Sequence, residues 1–126
     1  MNKAQVRAPS EELLREAIDK DGRYDAAALA GILDWTKQEI AGYLGTDPSA
    51  LSRQPAAPKH QDALARLAAA MRHLLDHTGN DLAQARAWLR TPILALDRET
   101  PKAVIMGGRL DMVADLLDEI DSGFAA

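Results

Sequence analysis

His73 and His77 stand four residues apart with Asp76 between them, in the run His73-Leu74-Leu75-Asp76-His77. On a helix this spacing places both imidazoles on one face, where two nitrogens can ligate a metal. The zinc-protease patterns also need a glutamate base at a set position, and that residue is missing here. No third ligand follows from the spacing, so the expectation is two polar histidines and no metal. Glu11/Glu12 and Asp118/Glu119 are adjacent acid pairs. Neighbours on a helix point about 100° apart, which makes poor acid–base partners. The chain has no Gly-x-Gly-x-x-Gly, no P-loop, no Gly-x-Ser-x-Gly and no cysteine. A thiol nucleophile, a thiolate zinc site and a disulfide are therefore excluded. The expectation is a protein that is not an enzyme and needs no cofactor.

The elements that position these residues are expected to be helices. Of 126 residues, 24 are Ala and 17 are Leu, against 14 for Val, Ile and Thr together. That balance favours helix over strand. The hydrophobic fraction of 47% is enough for a core and too high for a disordered chain. No apolar run approaches the roughly 18 residues of a membrane span. The first nine residues hold no apolar segment, so no signal peptide is expected, and the lack of cysteine fits a cytoplasmic protein. Net charge is −4, which argues against a general nucleic-acid coat. Its distribution is uneven. Between 48 and 60 the only charges are Arg53 and Lys59, whereas 110–126 holds Asp111, Asp115, Asp118, Glu119 and Asp121 and no base. Such an acidic end is either a solvated helix face or a surface for a basic partner.

Residues 1–9 read as a flexible tail. Ser10 is expected to cap a helix running to about Lys20, stopped at Asp21-Gly22. Asp25 caps a second helix through Leu33. Thr36-Lys37-Gln38-Glu39 fits a capping box and opens a third, which Gly45 ends. Asp47-Pro48 supplies a cap followed by proline for a fourth, closed by Pro55 and Pro58. The longest helix is expected from about Lys59 to His77, with Leu64, Leu67, Ala68, Met71, Leu74 and Leu75 at three- and four-residue spacing. Asn80 or Asp81 caps the next, and Thr91-Pro92 breaks it. The form of Ile93-Leu94-Ala95-Leu96 stays open. Thr100-Pro101 starts a short helix, and Gly107-Gly108 separates it from a final one, 109–122.

The two short helices flanking Gly45-Thr46-Asp47 form a helix–turn–helix pattern. The second would present Ser49, Ala50, Ser52 and Arg53 outward while Leu51 packs. Arg53 can reach guanine or phosphate, and Lys37, Gln38 and Lys59 are candidate backbone contacts. Two bases are few for DNA binding, and an αα corner capped by Asp-Pro also occurs with no DNA role. A homodimer would double the contacts.

The last forty residues carry a longer ordered series. It runs Ala85-Arg86-Ala87-Trp88-Leu89-Arg90-Thr91-Pro92, then Thr100-Pro101-Lys102-Ala103-Val104-Ile105-Met106, then Gly107-Gly108-Arg109-Leu110-Asp111-Met112-Val113. It closes with Leu116-Leu117-Asp118-Glu119-Ile120-Asp121-Ser122-Gly123-Phe124. Over roughly 80–126 this resembles the toxin-binding domain of the Xre/MbcA/ParS antitoxins, partners of RES-domain toxins, which also carry an Xre-like helix–turn–helix upstream. The series departs from the family's pattern at Ile93, where Asn is frequent, and at Asp97-Arg98-Glu99, in the place of a frequent Gly-Gly. The resemblance implies an antitoxin whose C-terminal segment covers the cleft of a toxin that consumes NAD or transfers ADP-ribose.

In the final helix Leu110, Val113, Ala114, Leu117 and Ile120 form one stripe, and Met112 and Leu116 widen it beyond one core contact. The residues expected to meet the toxin are Arg109, Met112, Asp115, Leu116, Glu119, Ser122, Gly123, Phe124, Ala125 and Ala126. The acids and the carboxylate at Ala126 would satisfy bases that hold NAD phosphates.

The expected architecture is all-α: a helix–turn–helix region at 10–58, a central helix at 59–79 and a toxin-binding module at 80–126. The expected partners are a RES-domain toxin and operator DNA, in a homodimer and with no membrane. The competing reading is a small dimeric helix–turn–helix regulator without a toxin, and a third is a helical adaptor with neither activity.

Overall fold

The computed structural model describes residues 9–122. Eight α-helices and two turns of 3-10 helix account for 68% of the described residues, with no strand among them, so the fold is all-α. The helices are α1 (Pro9–Arg15), α2 (Ala26–Leu33), α3 (Lys37–Leu44), α4 (Pro48–Arg53), α5 (Gln61–His77), α6 (Leu82–Leu89), α7 (Pro101–Met106) and α8 (Leu110–Asp121). Single turns of 3-10 helix precede α5 at Pro58–His60 and follow α6 at Leu94–Leu96.

Most helix starts follow from local chemistry. The first backbone N–H groups of a helix have no partner within it, and a side chain just upstream supplies one. The carboxylates of Asp25, Asp47 and Asp81 and the hydroxyl of Thr100 accept from Ala28, Ala50, Gln84 and Ala103 in this way. At α3 the capping box is complete: Thr36 accepts from the Glu39 N–H, and the Glu39 carboxylate accepts from the Thr36 N–H. Asp81, not Asn80, is the cap of α6; Asn80 turns the chain with φ +65°.

The first helix differs from expectation. It begins at Pro9, so Ser10 lies inside it and is buried, not at its cap. It ends at Arg15, because Asp19 competes for the backbone ahead of the expected stop. The Asp19 carboxylate accepts from the N–H groups of Asp21 and Arg23, and that local turn replaces a further helical turn. The Gln61 side chain then ties this loop to α5: its amide donates to the Tyr24 carbonyl at 2.9 Å, and its oxygen accepts from the Tyr24 N–H at 2.6 Å.

α5 is the spine. Its expected apolar residues Leu64, Leu67, Ala68, Met71, Leu74 and Leu75 are all buried. α1 packs on one side of it and α8 on another, and α6 follows its C-terminal end. α7 packs against α3, α6 and α8. One continuous core runs from Leu14 through Leu29, Ile40, Leu67 and Leu89 to Leu117. The three segments drawn from the sequence at 10–58, 59–79 and 80–126 therefore share a single interior.

Candidate protein-interaction site

α8 carries four of the ten residues expected to contact the toxin, and burial sorts them. Leu110, Val113, Leu116 and Leu117 point into the core. Leu116, at 6% exposure, thus holds α8 in place and leaves its surface to other residues. Asp111, Met112, Asp115 and Glu119 are exposed. Met112, Asp115 and Glu119 fall three and four residues apart, so they form one outward strip with an apolar group at its start. Ser122 is exposed at the end of the helix and donates to the Asp118 carbonyl. Gly123, Phe124, Ala125 and Ala126 lie outside the described residues.

The acidic run divides between two tasks. Asp118 and Asp121 turn toward α5. The Asp121 carboxylate bonds the His73 Nε2 and also meets the His77 Nε2 at 3.0 Å, while Asp118 lies 3.7 Å from the His73 Nδ1. The two imidazoles stack, with ring centres 6.1 Å apart. Each ring thus spends its Nε2 on a carboxylate, and the end of α8 is fastened to the end of α5. Among the described residues no three His, Cys, Asp or Glu side chains are arranged to hold a metal ion.

Arg109 opens α8 and is engaged within the chain. Its guanidinium forms two parallel bonds of 3.0 Å to the carboxylate of Glu99. Arg109 holds the Glu99 carboxyl below the ordinary carboxylate range through these bonds. The pair ties the loop after α6 to the start of α8. That loop closes on itself: the Ile93 N–H donates to the Glu99 carbonyl and the Arg98 N–H to the Ile93 carbonyl. Asp97 and Arg98 both take left-handed backbone conformations, with φ +55° and +66°. Leu96 is buried, whereas Leu94 is 77% exposed. Leu94 was not singled out from the sequence, because a four-residue apolar run shows no period that separates its inner from its outer members.

At the other expected site, α3 and α4 do form two short helices around a turn at Gly45, whose φ is +68°. Lys37, Gln38, Ser49, Ser52, Arg53 and Lys59 are exposed and Ala50 is half-buried. The hydroxyls of α4 are taken locally. Ser49 bonds the Asp47 carboxylate, and Ser52 donates to the Pro48 carbonyl at 3.1 Å. The Ser49 bond and the Ala50 N–H hold the Asp47 carboxyl below its usual range. A fixed anion therefore sits at the end of α4 that a recognition helix would offer to DNA.

Three cations of the C-terminal half grip the N-terminal half, and none was predicted in that role. Arg86 on α6 donates to the carbonyls of Ile32 and Gly31 at the end of α2, at 2.9 and 3.2 Å. Arg90 pairs with Asp34 at 3.3 Å, and Lys102 on α7 pairs with Glu39 at 2.5 Å. These partners lie more than fifty residues apart in sequence, and no local signal relates them.

A groove of about 320 Å³ runs between α1 and α5 and is lined by Leu14, Arg15, Ile18, Tyr24 and Arg72 among others. It shares no residue with α8. Compared with known protein families, residues 72–123 match the family model described as the antitoxin Xre/MbcA/ParS C-terminal toxin-binding domain. No curated protein and no solved structure matches the chain.

Proposed function

We propose that this chain is an antitoxin that neutralises its toxin through residues 72–123, which match the model of the Xre/MbcA/ParS C-terminal toxin-binding domain. The toxin is a RES-domain protein that consumes NAD or transfers ADP-ribose. The chain binds it through the outer strip of α8 and occludes its NAD site with the segment 110–126. One observation carries this reading: within the matched domain, Met112, Asp115 and Glu119 form an exposed strip, while neighbouring acids are used internally. A site for NAD phosphates must present bases, and an acidic strip with an apolar anchor complements such a surface.

Occlusion requires no catalytic group on the antitoxin. Carboxylates placed over a phosphate site compete with the substrate for the same donors, and the buried area holds them there. Arg109 acts in this reading through Glu99, by fixing the angle at which α8 leaves the loop. The test is co-expression with a RES-domain toxin, scored by co-purification and by cellular NAD. NAD is expected to be preserved by the full chain and lost when 122–126 are removed or when Asp115 and Glu119 become Lys. If those variants protect NAD as well as the full chain does, the occlusion reading fails.

A second reading is operator binding by α3 and α4, with autorepression by a homodimer. The exposure of Lys37, Gln38, Arg53 and Lys59 along that corner favours it. The Asp47 anion opposes it, so contact would rest on phosphates more than on base edges. Arg53→Ala should then abolish a mobility shift of the chain's own promoter and leave toxin binding intact. A promoter fragment that stays unshifted with the wild-type chain would end this second reading.

A further inference from the structure

Three large apolar side chains are exposed among the described residues: Ile18, Leu94 and Met112. Two of them, Leu94 and Met112, lie within the toxin-binding domain. Leu94 is by far the most exposed, at 77% against 37% for each of the others. A single exposed leucine needs no explanation when its loop is free to move. This loop is not free. Backbone hydrogen bonds from the Ile93 N–H to the Glu99 carbonyl and from the Arg98 N–H to the Ile93 carbonyl close it, Leu96 anchors it in the core, and the paired bonds of Glu99 to Arg109 strap it to the start of α8. Two consecutive non-glycine residues, Asp97 and Arg98, hold left-handed conformations to complete it. A rigid loop that displays an apolar side chain loses little conformational entropy on binding. That is the property of an interface anchor.

We infer that the loop 93–99 is a second docking element for the toxin, with Leu94 as its anchor in an apolar socket of that protein. This rests on the antitoxin reading above. It adds a contact separate from the acidic strip and the tail. The strap gives the loop and the strip one geometry. Glu99 holds Arg109, the Met112 N–H donates to the Arg109 carbonyl at 3.0 Å, and Met112 begins the outward strip. Both exposed apolar groups are thus tied to one helix start. The Arg109–Glu99 pair is a positioning device in this scheme, not a contact.

The test uses the full chain and a purified RES-domain toxin from its own operon, with affinity read by calorimetry and folding by thermal melting. Leu94→Asp is expected to weaken binding by about thirty-fold or more while the melting temperature stays unchanged. Leu94→Met should retain affinity to within about threefold, because it keeps an apolar side chain of similar size. Arg109→Gln should weaken binding less than Leu94→Asp does, and should raise amide exchange in 93–99. If Leu94→Asp binds within about threefold of wild type while Met112→Asp does not, the loop is no anchor, yet the antitoxin reading stands. If Leu94→Asp lowers the melting temperature, Leu94 serves the fold and the inference fails. A wild-type chain that binds no such toxin overturns both.

Discussion

Leu116 and Met112 sit four residues apart on α8 and do opposite work. Leu116 is buried at 6% and Met112 is exposed at 37%. Leu116→Ala should cost about 2–5 kcal/mol of stability, because it opens a cavity in the core. Met112→Ala should leave the denaturant midpoint nearly unchanged and weaken toxin binding. The same two measurements on both variants check the assignment, and it is wrong if the effects fall the other way round. A second prediction concerns Arg98, whose left-handed backbone disfavours any residue with a Cβ. Arg98→Gly should raise stability by about 0.5–1 kcal/mol, the relief of strain less the entropy that glycine gains when unfolded. Chemical denaturation reads this directly, and a loss of stability would refute it. The loop conformation could not be inferred from sequence at this point, since Asp97-Arg98 carries no glycine to announce it.

Among the helices, an ion pair joins α3 to α7, and contacts of His73 and His77 with the Asp121 carboxylate join α5 to α8. Lys102 donates to Glu39 and so lowers the Glu39 carboxyl below its ordinary value, with the Thr36 N–H adding to the effect. A carboxyl lowered on folding stabilises the native state above its unfolded pKa, and that contribution is lost as pH falls through the folded value. Comparison of urea midpoints at about pH 6 and about pH 4 should show a loss that is smaller in Glu39→Gln than in wild type. An equal loss in both would mean that the pair adds nothing to stability. The α5–α8 junction rests on His73 and His77 gripping Asp121. Replacing both histidines with Ala should speed amide exchange at 118–122 and leave α7 protected. Uniform acceleration across the chain would show that the junction is not local.

At the level of the whole molecule, the shared core decides what can be separated. The matched segment 72–123 begins inside α5 and omits α1 to α4. It would leave behind the part of α5 that packs under α1, and α3, against which α7 rests. Arg86 would lose the carbonyls of Gly31 and Ile32, and Lys102 would lose Glu39. The excised segment is expected to show weak helicity and no sharp melting transition, whereas the full chain unfolds in one step. Circular dichroism of both checks this, and a cooperative transition in the fragment would show that the module carries its own core. In the full chain, Arg86→Ala should cost about 1 kcal/mol by leaving the Ile32 carbonyl at the end of α2 without its donor, while the Gly31 carbonyl keeps the Asp34 N–H.

The amino-acid order alone determined the fold class and most of the helix starts. Asp25, the Thr36–Glu39 box, Asp47-Pro48 and Thr100-Pro101 act on backbone groups two or three residues away, so their effect is complete within one turn. The apolar spacing of α5 likewise names its buried face before any partner is known, and on α8 it does so for Leu110, Val113 and Leu117. It also carried the resemblance that the match at 72–123 supports. Packing decided the rest. It divided the acids of α8 between His73, His77 and the surface, set Leu116 inward and left Leu94 at the tip of a strapped loop. It also joined Arg86, Arg90 and Lys102 to groups more than fifty positions away. A cap needs only the chain's own geometry over a few bonds. Which face of a helix meets solvent, and which charge meets which, depends on how all eight helices fill one interior.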